Sequence, residues 1–383
     1  MKVMILGGDG YLGWPTCMDF AAKGHEVLAV DNYLRRNISA ETDSNPLVER
    51  PDMVERAKLF EAVSGKSIRA EVLDLRDYDK FEKLFAEFQP DVMVHYAEQP
   101  SAPYSMRGFE EARLTFQNNL DVTFNAIWAV KEHKPDCHIV KLGTMGEYGT
   151  PDIDIEEGWI DIEHKGRSDR FLFPRQAGSL YHTTKVLDTD LLWFYVRTHG
   201  LKVTDLMQGP VYGVTTAETA LDENLEPFFN YDDMFGTVVN RFIVQAVAGV
   251  PLTVYGKGGQ TRGYLDIRDT LQCIYLAACN PPESGQLNIF NQFVETFSVN
   301  QLAERVHDVG AQEGLDVVIK SIPNPRKEME DHYYNPAHSG LLDLGLKPHF
   351  MTDEVLAEMI RGVIRHKEKI AEHRILPRVS WKS

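Results

Sequence analysis

Tyr181 and Lys185 stand four residues apart, and on a helix that spacing puts both on one face. An ammonium beside a phenol favours the phenolate. The pair is therefore suited to take a proton from a hydroxyl while a hydride leaves the adjoining carbon. Tyr-x-x-x-Lys pairs also arise as surface cation–π or packing pairs, so their place along the chain has to decide. This pair follows Gly143-Thr144, which closes an apolar strand-like run. Far upstream, Gly7-Gly8-Asp9-Gly10-Tyr11-Leu12-Gly13 directly follows the first such run. Glycines at 7, 10 and 13 allow a tight turn, close approach of backbone to a pyrophosphate, and packing of a helix on the strand. The N-terminus of that helix then offers free N–H groups to phosphate oxygens. Glu147 and His182 are the titratable groups nearest in sequence to Thr144 and Tyr181. They read either as acid–base groups or as a salt-bridged loop carboxylate and a packed helix histidine.

Elements of a particular kind must position these residues. Val3 to Leu6, Val27 to Val30, Ile68 to Leu73, Val92 to Tyr96, Ile139 to Leu142 and Val203 to Met207 are the strand candidates, and most are short and almost continuously apolar. Strands covered on both faces read that way. Helical segments alternate with them, which predicts an α/β fold: a doubly wound parallel (Rossmann) sheet with a smaller C-terminal α/β substrate-binding lobe. A helix is expected from Met53 to Ala62, a capped helix after Ser298-Val-Asn-Gln301, and a last helix from about Glu354 to Lys369. Residues 1–208 are read as the dinucleotide-binding domain, with segments near 236–250 and 262–275 returning to it. Residues 209–383 are read as mainly the substrate lobe, and Thr216 to Asp233 as an insertion or lid. Asp31 ends the second strand, 18 positions after Gly13. That is close to the roughly 20 expected of a carboxylate on the adenosine ribose. A carboxylate there repels a 2′-phosphate, so the expected cofactor is NAD. Arg35 and Arg36 could hold a 2′-phosphate, face another anion in the site, or lie in a solvated loop. Asp74 and Leu75, after the third strand, are placed to meet adenine.

The chain has 383 residues, 40 basic and 57 acidic, with a formal charge of −17. A field of that sign repels phosphate backbones, so nucleic acid and anionic membrane are not expected partners. An anionic substrate would need local arginines and helix N-termini to oppose it. Cys17, Cys137, Cys273 and Cys279 have no metal-ligand spacing and sit among apolar neighbours, as buried free thiols would. Asp152, Asp154, Glu156 and Glu157 lack the glycine and closing glutamate of an EF-hand, so no metal site is expected. No apolar run spans a bilayer and the first strand begins at Lys2, so the expected compartment is cytoplasmic.

The Gly-x-x-Gly-x-x-Gly turn, the strand-end Gly143-Thr144 and the Tyr181/Lys185 pair together resemble the extended short-chain dehydrogenase/reductases, the NAD-dependent sugar epimerase/dehydratase family. Relatives that dehydrate sugars carry Thr-Asp-Glu at the fifth strand. This chain has Thr144-Met145-Gly146-Glu147 instead. Residues 141–158, 101–106, 254–269, 323–326 with 332–335, and 379–382 resemble the UDP-sulfoquinovose synthase branch. Pro100 is a departure, since the plant members carry arginine there, and it bears on anion contacts near that loop.

The resemblance implies catalytic roles for Thr144, which supplies a hydroxyl beside the nicotinamide, and for Tyr181, Lys185, Met145, Glu147 and His182. It implies cofactor contacts at Gly7, Gly10, Tyr11, Leu12, Gly13, Asp31, Asn32, Arg35, Arg36, Asp74, Leu75, Asn119, Tyr181, Lys185, Gln208 and Val211. It implies substrate contacts at Gln99, Tyr104, Thr144, Gln208, Thr237, Arg241, Tyr255, Gln260, Arg262 and Arg326, the arginines gripping a diphosphate. UDP-glucose and sulfite are the implied partners, and a homodimer the implied assembly. The implied route oxidises C4, eliminates the C6 hydroxyl to a 4-keto-5,6-ene with Glu147 as acid and His182 as C5 base, adds sulfite at C6 and returns the hydride. The competing expectations are a UDP-glucose 4-epimerase and a non-catalytic NAD-binding scaffold.

Overall fold

Val3, Met4, Ile5 and Leu6 leave no polar face, and they lie fully buried near the centre of a seven-stranded sheet. The computed structural model describes residues 1–324, 333–376 and 378. Its first half runs β1 (Lys2–Leu6), α1 (Gly13–Ala22), β2 (Glu26–Asp31), α2 (Leu34–Glu41), α3 (Met53–Ser64), β3 (Arg69–Val72), α4 (Tyr78–Phe88), β4 (Val92–His95), α5 (Ala102–Ser105), α6 (Phe109–His133) and β5 (His138–Thr144). A hairpin of β6 (Trp159–His164) and β7 (Arg167–Leu172) leads to α7 (Leu180–His199), β8 (Lys202–Gln208) and β9 (Val211–Tyr212). Then come α8 (Val238–Ala248), β10 (Leu252–Tyr255), β11 (Thr261–Asp266), α9 (Ile267–Cys279), β12 (Leu287–Gln292), β13 (Glu295–Ser298), α10 (Val299–Gln312), β14 (Ile319–Ile322), α11 (Gly340–Asp343) and α12 (Asp353–Ile364).

The large sheet is parallel throughout, in the order β12-β8-β5-β4-β1-β2-β3. The strand order reverses at the β1–β4 pair, and in such sheets the ligand crevice opens there, at the carboxyl ends. Gly7, Asp31, Glu98, Thr144 and Gln208 all lie at those ends. One face of the sheet packs on α4, α6 and α7 through residues such as Phe81, Phe85, Ile127 and Val196. The other packs on α1, α3 and α9 through Trp14, Phe60 and Ile274.

A separate core holds the second lobe together, with Phe242 and Ile243 of α8 against Leu302, Val306, Leu356 and Ile360. Residues 238–248 therefore belong to the second lobe, not to the nucleotide-binding domain. Eight of its eleven residues are apolar and it is buried along nearly its whole length, its polar residues Asn240, Arg241 and Gln245 included, so its sequence suits the core of either lobe. The segments that do reach the nucleotide-binding domain are α9 and the edge strand β12. Ser298 and Gln301 form the reciprocal cap expected of them. Cys17, Cys137 and Cys273 are buried free thiols, whereas Cys279, in the last turn of α9, is exposed. No described helix is long and apolar enough to cross a membrane.

Candidate active site

A cavity of about 660 Å³ runs from the glycine turn to the second lobe. At one end lie Gly7, Gly10, Tyr11, Leu12, Gly13, Asp31, Asn32, Arg35 and Leu75. Gly7 has φ +86°, and a Cβ on it would meet the Ala97 nitrogen at 2.9 Å. A Cβ on Gly13 would lie 1.9 Å from the Gly7 carbonyl oxygen. Both positions therefore need glycine, and the turn keeps α1 close behind it. α1 opens at Gly13 with no side-chain cap. A bare helix start beside a tight turn is a phosphate cradle, so the residues fit a dinucleotide.

Asp31 accepts hydrogen bonds from the Asp9 and Tyr33 N–H groups. Burial, with the neighbouring Asp9 charge, pushes its carboxyl up to about 6. Arg35 reaches the cavity, held between the Phe228 and Phe235 rings and donating to Asn230 at 2.6 Å. Arg36 does not reach it. Its guanidinium is committed to Asp9 at 2.6 Å and to the carbonyls of Arg50 and Pro51, so it holds no phosphate. Asp74 turns to Arg76 and lines a smaller adjoining cleft with Asn32 and Leu73.

Thr144, Met145, Gly146, Tyr181 and His182 form the middle wall. Thr144 ends β5 and caps the short turn after it, its Oγ1 accepting from the Gly146 N–H at 3.1 Å. Tyr181 and His182 open α7, whose cap is Ser179. His182 pairs its Nδ1 with the Ser179 hydroxyl at 3.1 Å and presses its ring on Gly146. Lys185 lies one turn below Tyr181, and its Nζ donates to the Leu142 carbonyl and to Glu98, each at 2.6 Å. Burial opposes the ammonium, but Glu98 and Asp188 outweigh it and Lys185 titrates above the ordinary lysine range. Tyr181 is raised as well, by burial first and then by Glu98 and Glu147.

Glu147 does not line the cavity. It is fully buried behind Thr144 and accepts from the Thr144 N–H at 3.3 Å. Lys141, likewise fully buried, lies 3.4 Å from Glu147 and 3.2 Å from Asp205, and Arg175 closes the group. The carboxylate thus faces cations inside the protein, not a substrate.

Three further expected contacts, Asn119, Gln99 and Tyr104, lie off the cavity. Asn119 is fully buried and laces the chain together, bonding the backbone of Gln99 and the Thr184 hydroxyl. Its neighbour Asn118 lines the cavity instead, with Oδ1 buried and without a hydrogen-bond partner among the described residues. Val122 also lines the cavity. Residues four apart share a helix face, which is the signal that selects 118 over 119. Gln99 turns away to Thr115 and the Ser101 backbone. Tyr104 packs on Ile38 and Met234, outside the cavity.

Thr237, Arg241, Tyr255, Gln260 and Arg262 line the far end, with Gln208 and Val211 between the two ends. Arg241 stacks on Tyr255, its guanidinium 4.1 Å from the ring centre. Three arginines, 35, 241 and 262, therefore face one cavity in a chain of net negative charge. Arg326 lies outside the described residues. Asn230, Asp232 and Tyr334 also line the cavity and were not anticipated. The first two come from the 216–233 segment, which reaches over the site.

The model of the NAD dependent epimerase/dehydratase family matches residues 3–291. The chain belongs to that family. It is similar to the UDP-sulfoquinovose synthase of Sulfolobus acidocaldarius, 44% identical over 100% of this chain and 98% of that protein. It is also similar to the chloroplastic UDP-sulfoquinovose synthase of Spinacia oleracea, 48% identical over 100% of this chain and 79% of that protein. In fold it is similar to the UDP-glucose 4-epimerase of Bifidobacterium longum solved with NAD+ and UDP, with a TM-score of 0.72 at 18% identity. That likeness covers 97% of this chain and 100% of the epimerase chain. NAD is the cofactor of the family, and the glycine turn with Asp31 fits it.

Proposed function

We propose that the protein is a UDP-sulfoquinovose synthase, turning UDP-glucose and sulfite into UDP-sulfoquinovose and water. The observation that carries the reading is the shared wall: Thr144 and Tyr181 stand beside His182, with Lys185 behind the tyrosine. Two full-length relatives of that name support it. NAD, when bound at the glycine turn, supplies a hydride acceptor and later the donor. Thr144 and Tyr181 orient the C4 hydroxyl, and Tyr181 takes its proton and gives it back. The 4-ketone acidifies C5–H. His182 removes that proton and passes it to the departing C6 hydroxyl, a role that Glu147, facing inward, does not take. Bisulfite then adds its sulfur to C6, and its proton reaches C5. Arg241 and Arg262 hold the diphosphate bidentately.

A homodimer belongs to the same proposal. Phe109, Phe116 and Phe124 of α6 and Leu187 and Phe194 of α7 are exposed, and the two helices pack side by side. A second copy would cover that apolar face. The cytoplasmic compartment remains a proposal too, the spinach relative being named chloroplastic.

The test is mass spectrometry of products from purified protein and UDP-glucose, with and without sulfite. A sulfonated UDP-hexose formed with sulfite is expected. UDP-galactose formed in both arms, with no sulfonated product, would make the protein an epimerase.

A further inference from the structure

The reaction outlined above gives no task to the cavity-lining carboxylate of Glu98. The Glu98 side chain is 2% exposed and sits at the carboxyl end of the sheet, between two anchored neighbours. Ala97 packs against Gly7 of the glycine turn. The Gln99 N–H and carbonyl are both held by the buried Asn119 side chain. The backbone thus delivers the Glu98 carboxylate to a fixed place, 2.6 Å from the Lys185 Nζ. Its second oxygen is buried without a hydrogen-bond partner among the described residues. A buried charge is costly unless paired, and here Lys185 is the pair.

Resting on the proposed function, we propose that Glu98 is a positioning residue for Lys185. It clamps the ammonium against the Leu142 carbonyl, and its charge sets the pH range over which Tyr181 trades a proton with the C4 hydroxyl. An unopposed ammonium draws a neighbouring phenol toward phenolate, whereas a neutral ion pair does so weakly. Among the charges around Tyr181, Glu98 weighs most, ahead of Glu147, Lys141 and Asp188. Asp188, on α7 one turn beyond Lys185, is fully buried, and burial and then Glu98 push its carboxyl well above the ordinary carboxylate range. His95 of β4, 3.9 Å from Glu98, is held by burial as the neutral imidazole, at about 3. Lys141 of β5 and Glu147 of the following turn are occupied with each other and with Asp205. Tyr181 is correspondingly raised, by burial and then by Glu98. A tyrosine that grips its proton suits a cycle that returns the proton to O4 and the hydride to C4, where releasing a ketone would be a failure. One proton moves from O4 to the Tyr181 oxygen and back, and Glu98 neither gives nor takes one.

The test reads the pH profile of nicotinamide reduction by UDP-glucose without sulfite, followed by absorbance. Glu98→Gln keeps the hydrogen-bonding shape and removes the charge. Its acid limb is expected to move to lower pH by about one unit or more, the scale of one charge beside a buried ionisable group. Glu98→Asp keeps the charge on a shorter arm, so its rate falls while its limb stays within about 0.3 unit. A Glu98→Gln limb that stays in place while the rate falls would overturn the inference. So would an Asp limb displaced by a full unit, which decides the matter even if the Gln variant does not fold. An enzyme with these profiles but no sulfonated product would refute the proposed function and leave the role of Glu98 standing.

Discussion

Gly146 lies between Thr144 and Glu147, and its missing side chain makes room for a histidine. A Cβ built there would sit 2.5 Å from His182 Nε2, 2.6 Å from Cδ2 and 2.9 Å from Cε1. Ordinary contacts between such atoms are about 3.5–4.0 Å, so the Gly146→Ala variant must push the imidazole back by roughly 1 Å. The backbone does not resist the change, because Gly146 is not among the residues with positive φ. His182, whose Nδ1 pairs with the Ser179 hydroxyl, yields by turning about χ1. Tyr181 and Lys185 have separate anchors at Ser105 and Leu142 and stay where they are. A 1 Å misplacement of a reacting group costs about 10²-fold. The variant should therefore lose about 10²-fold in exchange of C5–H with solvent deuterium and in sulfonated product. Nicotinamide reduction by UDP-glucose should remain within a few-fold of wild type. The first is read by NMR and mass spectrometry, the second by absorbance, with a thermal melt to show the fold intact. Undiminished C5 exchange would refute the reasoning, and so would equal loss at both stages.

Two other perturbations separate stability from chemistry. Lys141→Met strips the shared cation from Glu147 and Asp205, all three fully buried, and should cost about 3–5 kcal/mol in a denaturant titration; an unchanged midpoint would mean that the carboxylates are not charged. Asp31, raised to about 6, is an anion above that pH and takes a proton below it. A protonated carboxyl offers the ribose hydroxyls one acceptor fewer, so NAD affinity should fall as the pH drops through 6, and calorimetry on Asp31→Asn should find weaker binding that is flat over that window.

Sequence disclosed what depends on local pattern. The central strands of the large sheet, β1, β2 and β4, are nearly continuous in apolar residues, which marks them as interior and parallel. The glycine turn, Asp31 and the Tyr181/Lys185 face follow from fixed spacings along one strand, turn or helix. The misplacements came from direction and from distant partners. Thr144-x-x-Glu147 reads from the letters either as two groups facing one substrate or as a hydroxyl beside a salt-bridged loop carboxylate. The same spacing is a capping box, in which the glutamate folds back on its own backbone, and that signal was present in the letters. Arg36 turns from the cofactor because Asp9, 27 residues earlier, captures it. No local pattern announces such a pair. Asn118 and Asn119 differ only in phase on a 25-residue helix, and Gln99, in a loop, and Tyr104, in the short α5, face where tertiary contacts turn them. Helix α8 is apolar enough to suit either lobe, and the cores chose.

The measurement closest to the central claim uses UDP-glucose carrying deuterium at C4, incubated with sulfite and the purified protein. If Tyr181 and Thr144 hold C4 against the nicotinamide throughout one closed cycle, the label leaves C4 and returns to it, and the sulfonated UDP-hexose keeps its deuterium there. A sulfonated product that has lost the label, or no sulfonated product at all, would contradict the account.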